Sequence, residues 1–281
     1  MDIDYLRTRK PARRIAEIPP SVLDALAAGQ LQTKNLVEWL ATNRERLLEV
    51  ICTQFGLVDL QYSAEIWTDK LLGESALKQS FAIGQWWLEH CKVGDAVWRQ
   101  LSTHESDIVR EWAAIVVGRS SDLSFARKLA WIKPFADDAH SGLREIAWLA
   151  LRPDIPRDPV AAVRCLVPWT GSRHERLRRF ASEITRPCGV WTLHIAALKD
   201  QPELGLPILQ PLMSDPSKYV KDSVGNWLND ASKSKPDWVR ALIDTWLAKS
   251  DTPDTAYIAK RALRSLNKAR GSMRTTRSTG C

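Results

Sequence analysis

One short pattern recurs five times along this chain and limits what it can fold into. An aliphatic residue, a usually basic residue, two variable positions and a small or β-branched residue occur as Val109-Arg110-Glu111-Trp112-Ala113. The pattern returns as Leu143-Arg144-Glu145-Ile146-Ala147, Leu177-Arg178-Arg179-Phe180-Ala181, Val220-Lys221-Asp222-Ser223-Val224 and Ile258-Ala259-Lys260-Arg261-Ala262. Successive copies start 34, 34, 43 and 38 residues apart. At about 100° per residue, positions 0, 3, 4, 7 and 8 of each copy share one helical face, and that face is mostly apolar. No stretch of strict alternation or Asn-Gly hairpin signal competes with it.

Such periods with helical phasing predict an all-α chain: a right-handed solenoid of HEAT-like helix pairs, curved, with a concave face. Helical spacing also appears at 46–55, 59–72, 75–90, 123–132, 159–167 and 236–249, separated by breakers at Pro134, Pro153, Pro187, Pro216, Pro236 and Pro253. Residues 1–18 read as an irregular basic arm, 19–270 as the solenoid, and 271–281 as a disordered tail of low hydrophobicity.

Function classes narrow quickly. No apolar run approaches the ~18–20 residues that span a bilayer, and Met1–Pro20 lacks the apolar core of a secretory signal. Cytoplasmic, nucleoid-associated residence and a monomer are expected. Five cysteines, scattered and odd in number, argue against a disulfide framework. Five isolated histidines give no metal-ligand spacing, so neither metal nor cofactor is expected. The formal net charge is +7, which permits a nucleic-acid partner without requiring one. Bases concentrate at Arg7–Arg14 and from Lys260 onward, where solubilising termini and phosphate contacts are both open readings.

Positions 2, 6 and 10 of each copy fall away from the apolar face and predict an exposed stripe. It reads Arg179, Glu183, Pro187 in the third copy, Asp222, Asn226, Asp230 in the fourth and Lys260, Arg264, Lys268 in the fifth. The first two copies open it with Glu111 and Glu145, then turn apolar at Ile115 and Leu149. Acids mid-array and bases at one end suit a polyanion whose reacting centre becomes positive. A solvated helix face would also be polar.

Two segments carry a resemblance. Arg178-Arg179-Phe180-Ala181-Ser182-Glu183, followed by Thr185-Arg186-Pro187 and Trp191, resembles the RRLASE-x-SRPRLPW signature of the AlkC branch of the AlkC/AlkD-type HEAT-like-repeat DNA alkylation repair glycosylases. Tyr219–Asp230, with Lys233 and Pro236, is similar to that branch's YVRxSVANxLNDxxKxxP segment. Lys260–Leu266 is a weaker match to HALRTL. The chain departs from the branch at Cys188-Gly189-Val190, where the signature has Arg-Leu-Pro, and at Gly225, where it has alanine.

The resemblance implies a monofunctional glycosylase that excises small cationic alkylated bases such as 3-methyladenine from double-stranded DNA. It implies Glu183 and Asp230 as lesion-facing carboxylates and Glu145 as a further cleft acid. Trp191 would contact the damaged nucleotide. Arg179 would contact the DNA backbone, as the reading of the basic stripe has Lys260, Arg264 and Lys268 do. An N3- or N7-alkylated purine is already a good leaving group, so the protein must stabilise an oxocarbenium-like sugar and orient water. A carboxylate about 4 Å from that charge contributes up to about 4 kcal/mol at an effective dielectric near 20, or roughly a thousandfold in rate. The alternative is a non-catalytic paralogue that binds damaged or branched DNA. A protein-binding scaffold is the third reading.

Overall fold

The computed structural model describes residues 3–57, 71, 73–189 and 193–268. Its helices start where local chemistry satisfies free amides. Asn35, Asn43, Asp95 and Asp158 accept from the backbone N–H three residues on, at 2.8–3.0 Å. Pro20, Pro159, Pro236 and Pro253 occupy first helical positions, where a missing N–H costs nothing. Two of those prolines, Pro236 and Pro253, separate helices as expected, and do so by opening the one that follows. Pro134 was also expected as a breaker, but it lies inside the helix Phe125–Ala136, two residues from its end. The segment 59–72 and the tail 271–281 lie outside the described residues, apart from Leu71.

Contacts divide the chain into two compact units, Met1–Ala150 and Leu151–Cys281. The first contains α1 (Ile3–Arg7), α2 (Pro20–Ala27), α3 (Leu36–Ala41), α4 (Arg44–Gln54), α5 (Ala76–His90), α6 (Ala96–Ser102), α7 (Asp107–Arg119), α8 (Phe125–Ala136) and α9 (Ser141–Leu151), which ends at the boundary. The second contains α10 (Pro159–Thr170), α11 (Glu175–Ile184), α12 (Ala196–Asp200), α13 (Leu206–Leu209), α14 (Lys218–Ala231), α15 (Pro236–Lys249) and α16 (Pro253–Ala262). Residues 264–268 are helical as well. The described residues contain no strand.

All five copies of the repeat fall on helices: α7, α9, α11, α14 and α16. Their leading residues Val109, Leu143, Leu177, Val220 and Ile258 are buried. So are the small residues at position 4, Ala113, Ala147, Ala181, Val224 and Ala262. Small residues there let helices approach. Glycine takes this furthest: a Cβ on Gly84 would stand 2.4 Å from Ile115, and one on Gly225 2.8 Å from Cβ of Arg261. Gly225, the departure from the AlkC pattern, thus seats α14 against α16.

The basic residue at position 1 proves to be scaffold. Arg110, Arg144 and Arg178 each donate through Nη1 to the carbonyls six and five residues earlier, at 2.6–3.3 Å. Arg178 also grips Asp215 at 2.6 and 3.0 Å. Lys221 pairs with Asp254 in the same way, and Arg110 stands 3.6 Å from Asp138. Arg110, Arg144 and Arg178 thus tie their helices to the entry loops, and Arg110, Arg178 and Lys221 reach acids that precede or open the next repeat helix.

The basic arm is not irregular throughout. Its α1 sets Leu6 into a cluster with Ile18, Val22, Ala25, Leu26 and Leu31. Arg9 donates to Glu38 at 2.5 and 3.0 Å and to the carbonyls of Leu6 and Gln32. A hydrophobic anchor at Leu6 and a buried acid at Glu38 hold down a stretch whose charge alone reads as solvated.

Candidate functional site

In the second unit, α10, α11, α14 and α16 pack in succession. Glu183 is the penultimate residue of α11 and Asp230 the penultimate residue of α14. Because the two helices lie side by side, their ends bring both acids to one place. Both carboxylates close on a single guanidinium from the turn after α11. Arg186 donates from Nη1 to Glu183 Oε1 at 2.7 Å, and from Nε and Nη2 to Asp230 Oδ2 at 3.0 and 2.7 Å.

Further partners surround the pair. Ser223 donates to Glu183 Oε2 at 2.7 Å, and its oxygen lies 2.8 Å from Oγ of Ser182. Arg179 stands 3.6 Å from Glu183, with its guanidinium 4.9 Å from the centre of the Tyr219 ring. Lys233 donates to Asp230 Oδ1 at 3.0 Å. Burial pushes the Glu183 pKa up, but the charges of Arg179 and Arg186 and the bonds from Ser223 and Arg186 more than offset it. The carboxyl is held below its ordinary range and is ionised at neutral pH. The same acids hold the Arg186 guanidinium above its ordinary value, against the effect of burial.

The stripe containing these acids was expected to be exposed, and much of it is not. Glu183 and Asp230 are 5% and 4% exposed, Arg179 is buried, and Glu111 is wholly enclosed. The reason is geometric. Positions 2, 6 and 10 lie at about 200°, 240° and 280°, so the stripe drifts toward the core position at about 300°. In a row of helices that flank packs on the neighbouring repeat. What covers Glu183 and Asp230 is polar, chiefly Arg186, and the two acids face each other across it. Asp222 is half-buried and holds Lys218, Tyr257 and Arg261. Lys260, Arg264 and Lys268 are exposed. Arg264 donates to Asn226 at 2.9 Å.

The remaining expected residues stand differently. Glu145 is on α9 in the first unit, half-buried, and accepts from Nε1 of Trp148 at 2.9 Å. Trp191 lies outside the described residues. Glu111 accepts from Nε1 of Trp39 at 2.8 Å. Burial and the charge of Asp107 push its pKa up to about 8, against Arg44, the Trp39 bond and Arg110. It is a neutral, structural acid. Sequence reading missed Arg186, which sits three positions after Glu183, a spacing that signals an ion pair. Among the described residues no group of three or more His, Cys, Asp or Glu could hold a metal ion, and no helix is long and apolar enough to cross a membrane.

Comparison with known proteins bears on this site. The family profile described as DNA alkylation repair enzyme matches residues 161–267, a stretch that includes Arg179, Glu183, Arg186, Asp230, Lys260 and Arg264. The uncharacterized protein YhaZ of Bacillus subtilis is 42% identical over 119 residues, which are 42% of this chain and 33% of YhaZ. The structure of Pseudomonas fluorescens alkylpurine DNA glycosylase AlkC, bound to DNA containing an abasic site analog, superposes with a TM-score of 0.65 at 25% identity. That match covers 92% of this chain and 66% of the AlkC chain. AlkD2 from Streptococcus mutans superposes with a TM-score of 0.55 at 25% identity, over 72% of this chain and 96% of its own. The chain thus spans about a third of YhaZ and just under two thirds of AlkC. Residues 161–267 thus match the DNA alkylation repair enzyme family, and the chain shares the helical-repeat fold of AlkC and AlkD2.

Proposed function

We propose that this chain is a monofunctional DNA glycosylase that releases small cationic alkylated bases, 3-methyladenine among them, from double-stranded DNA. The observation that carries the reading is the meeting of Glu183 and Asp230 on one cation. An oxocarbenium-like deoxyribose, or the charged base leaving it, is a cation of similar reach. Glu183 and Asp230 stabilise it, and one of them accepts a hydrogen bond from the attacking water. No general acid is needed, because alkylation has already activated the leaving group.

In the protein without DNA, Arg186 fills the place of that cation and gives way when the lesion enters. The exchange swaps one positive charge for another, so the buried acids are never left unpaired. A neutral base cannot repay the ion pairs it would break. That difference gives selectivity for cationic lesions without an enclosing pocket. Arg179 is engaged by Glu183, and the exposed Lys260, Arg264 and Lys268 meet phosphates. Glu145 and Trp191 belong to the same reading through the family resemblance alone.

A second reading is favoured by that same guanidinium. An acid pair already neutralised by Arg186, Arg179 and Lys233 suits a non-catalytic paralogue that binds damaged or branched DNA. Incubation with methylated genomic DNA and chromatography of the released bases separates the two. The glycosylase reading predicts release by the wild type and a fall of roughly 10²–10³ in rate for Glu183→Gln with Asp230→Asn. Affinity for undamaged DNA should stay unchanged. Release by the double variant at the wild-type rate would overturn the assignment, and no release by excess wild type would favour the binding paralogue.

A further inference from the structure

Arg152 follows α9, in a turn of 3-10 helix, and its side chain runs into the interior of the second unit. It is 3% exposed. A buried guanidinium normally faces a carboxylate, and this one makes its hydrogen bonds to three main-chain carbonyls. Nη1 donates to Ile184 at 2.8 Å, and Nη2 donates to Arg186 at 2.6 Å and to Leu193 at 3.4 Å. Among the described residues its Nε has no hydrogen-bond partner. Burial and the neighbouring Arg186 lower its pKa to about 10, while Glu183, Asp230 and Cys188 raise it, so it remains charged at neutral pH.

The three carbonyls have one thing in common. Ile184 is the last residue of α11, Arg186 carries the guanidinium that joins the two acids, and Leu193 lies on the returning side of the same turn. A second bond closes that turn lower down, from Ile195 N–H to the Pro187 carbonyl at 3.0 Å. Arg152 therefore holds both sides of the turn from within, while the Leu193 side chain, 91% exposed, projects from it. Keeping a desolvated cation for three carbonyls is expensive if they need only a donor. A planar fork of donors that spans two separate stretches is something lysine or glutamine supplies poorly.

We infer that Arg152 is a positioning residue for the acid pair, pinning the main chain on both sides of the segment between α11 and α12 so that the end of α11 keeps Glu183 in register with Asp230 whether or not the Arg186 side chain stands between them. The inference rests on the glycosylase reading for its consequence in catalysis, and on the contacts alone for the clamp. Arg152 touches no reacting group. Its loss acts through the turn, so it should lower turnover and leave the docking of DNA in place.

The test pairs amide hydrogen exchange with steady-state release of 3-methyladenine from methylated DNA, in Arg152→Gln and Arg152→Lys. For Arg152→Gln we expect exchange at least tenfold faster in 185–189 and 193–195, with α10 and α16 unchanged. We expect kcat down about tenfold and KM within twofold. Arg152→Lys should recover part of both. Unchanged exchange in the turn, or faster exchange with wild-type kcat, would overturn the inference. If Arg152→Gln does not fold, Arg152→Lys decides: a local rise in exchange with a several-fold lower kcat supports the clamp, and wild-type behaviour in both overturns it. If the wild type releases no base, the glycosylase reading has failed, and turn exchange still judges the clamp.

Discussion

Replacing Arg186 with methionine keeps most of the side chain's apolar length and removes the cation between the two acids. Three charge-assisted hydrogen bonds of 2.7–3.0 Å are lost. Removing one partner of a buried ion pair costs about 3–5 kcal/mol. Arg179, Ser223 and Lys233 still face the acids, which puts the expected loss at the lower end, about 3 kcal/mol. In a chain of this size that lowers Tm by about 5 °C. The pH dependence gives the cause. The Glu183 carboxyl is depressed in the folded protein. Its contribution is complete above the ordinary carboxylate value of about 4.3 and is lost as pH falls through the lower folded value. The variant raises that folded value, so the stability gap should be full at neutral pH and shrink below about pH 4. Thermal melts from pH 3 to 7 measure it. A gap that is flat across that range, or an Arg186→Met protein as stable as wild type, would refute the ion-pair account. The variant should also bind DNA carrying a positively charged abasic analogue more tightly, since its own competitor is gone. Weaker binding would mean that Arg186 is a ligand contact and not an occupant.

Two other predictions address different parts of the molecule. Glu111, pushed up to about 8, keeps a proton that the unfolded chain releases at ordinary carboxylate pH, so its contribution to stability falls as pH rises from about 4.5 to 8. Glu111→Gln should remove that decline and reduce the stability difference between pH 5 and pH 8 by about 2–4 kcal/mol, as followed by urea denaturation. Substituting glutamine for Lys260, Arg264 and Lys268 together should lower DNA affinity and flatten the slope of log K against log salt by about 2–3, with fold and melting temperature kept. An unchanged slope would remove these residues from the DNA surface.

The chain advertises its repeats and hides its ties. The aliphatic residue and the small residue of each copy could be placed on buried helix faces from spacing alone, because helical phase is a local property. Glu183 and Asp230 could be named together because a motif carries them and because the same phase puts them on one flank. That phase also misled. An ideal wheel treats the flank as solvent, whereas in a stack the next helix or its exit turn covers it, and so Glu183, Asp230 and Glu111 are enclosed. The basic letter of the repeat carries no phase signal of its purpose, and Arg110, Arg144 and Arg178 spend their donors on loop carbonyls. Pairings such as Arg9 with Glu38, Thr33 with Asp107 and Arg152 with Leu193 join positions 29, 74 and 41 residues apart. No periodicity encodes them, because they depend on how loops return.

The claim at the centre is that Glu183 and Asp230 together receive a positive charge at one deoxyribose. It is tested most directly by the affinity of wild type and of Glu183→Gln with Asp230→Asn for two duplexes, one with a cationic pyrrolidine abasic site and one with its neutral tetrahydrofuran counterpart. The wild type should prefer the cation by roughly a hundredfold, about 2.8 kcal/mol, once displacement of Arg186 is discounted from the Coulomb gain. The double variant should keep its affinity for the neutral duplex and lose nearly all of that preference. A preference that survives the loss of both carboxylates, or a wild type that binds the two duplexes equally, would contradict the account.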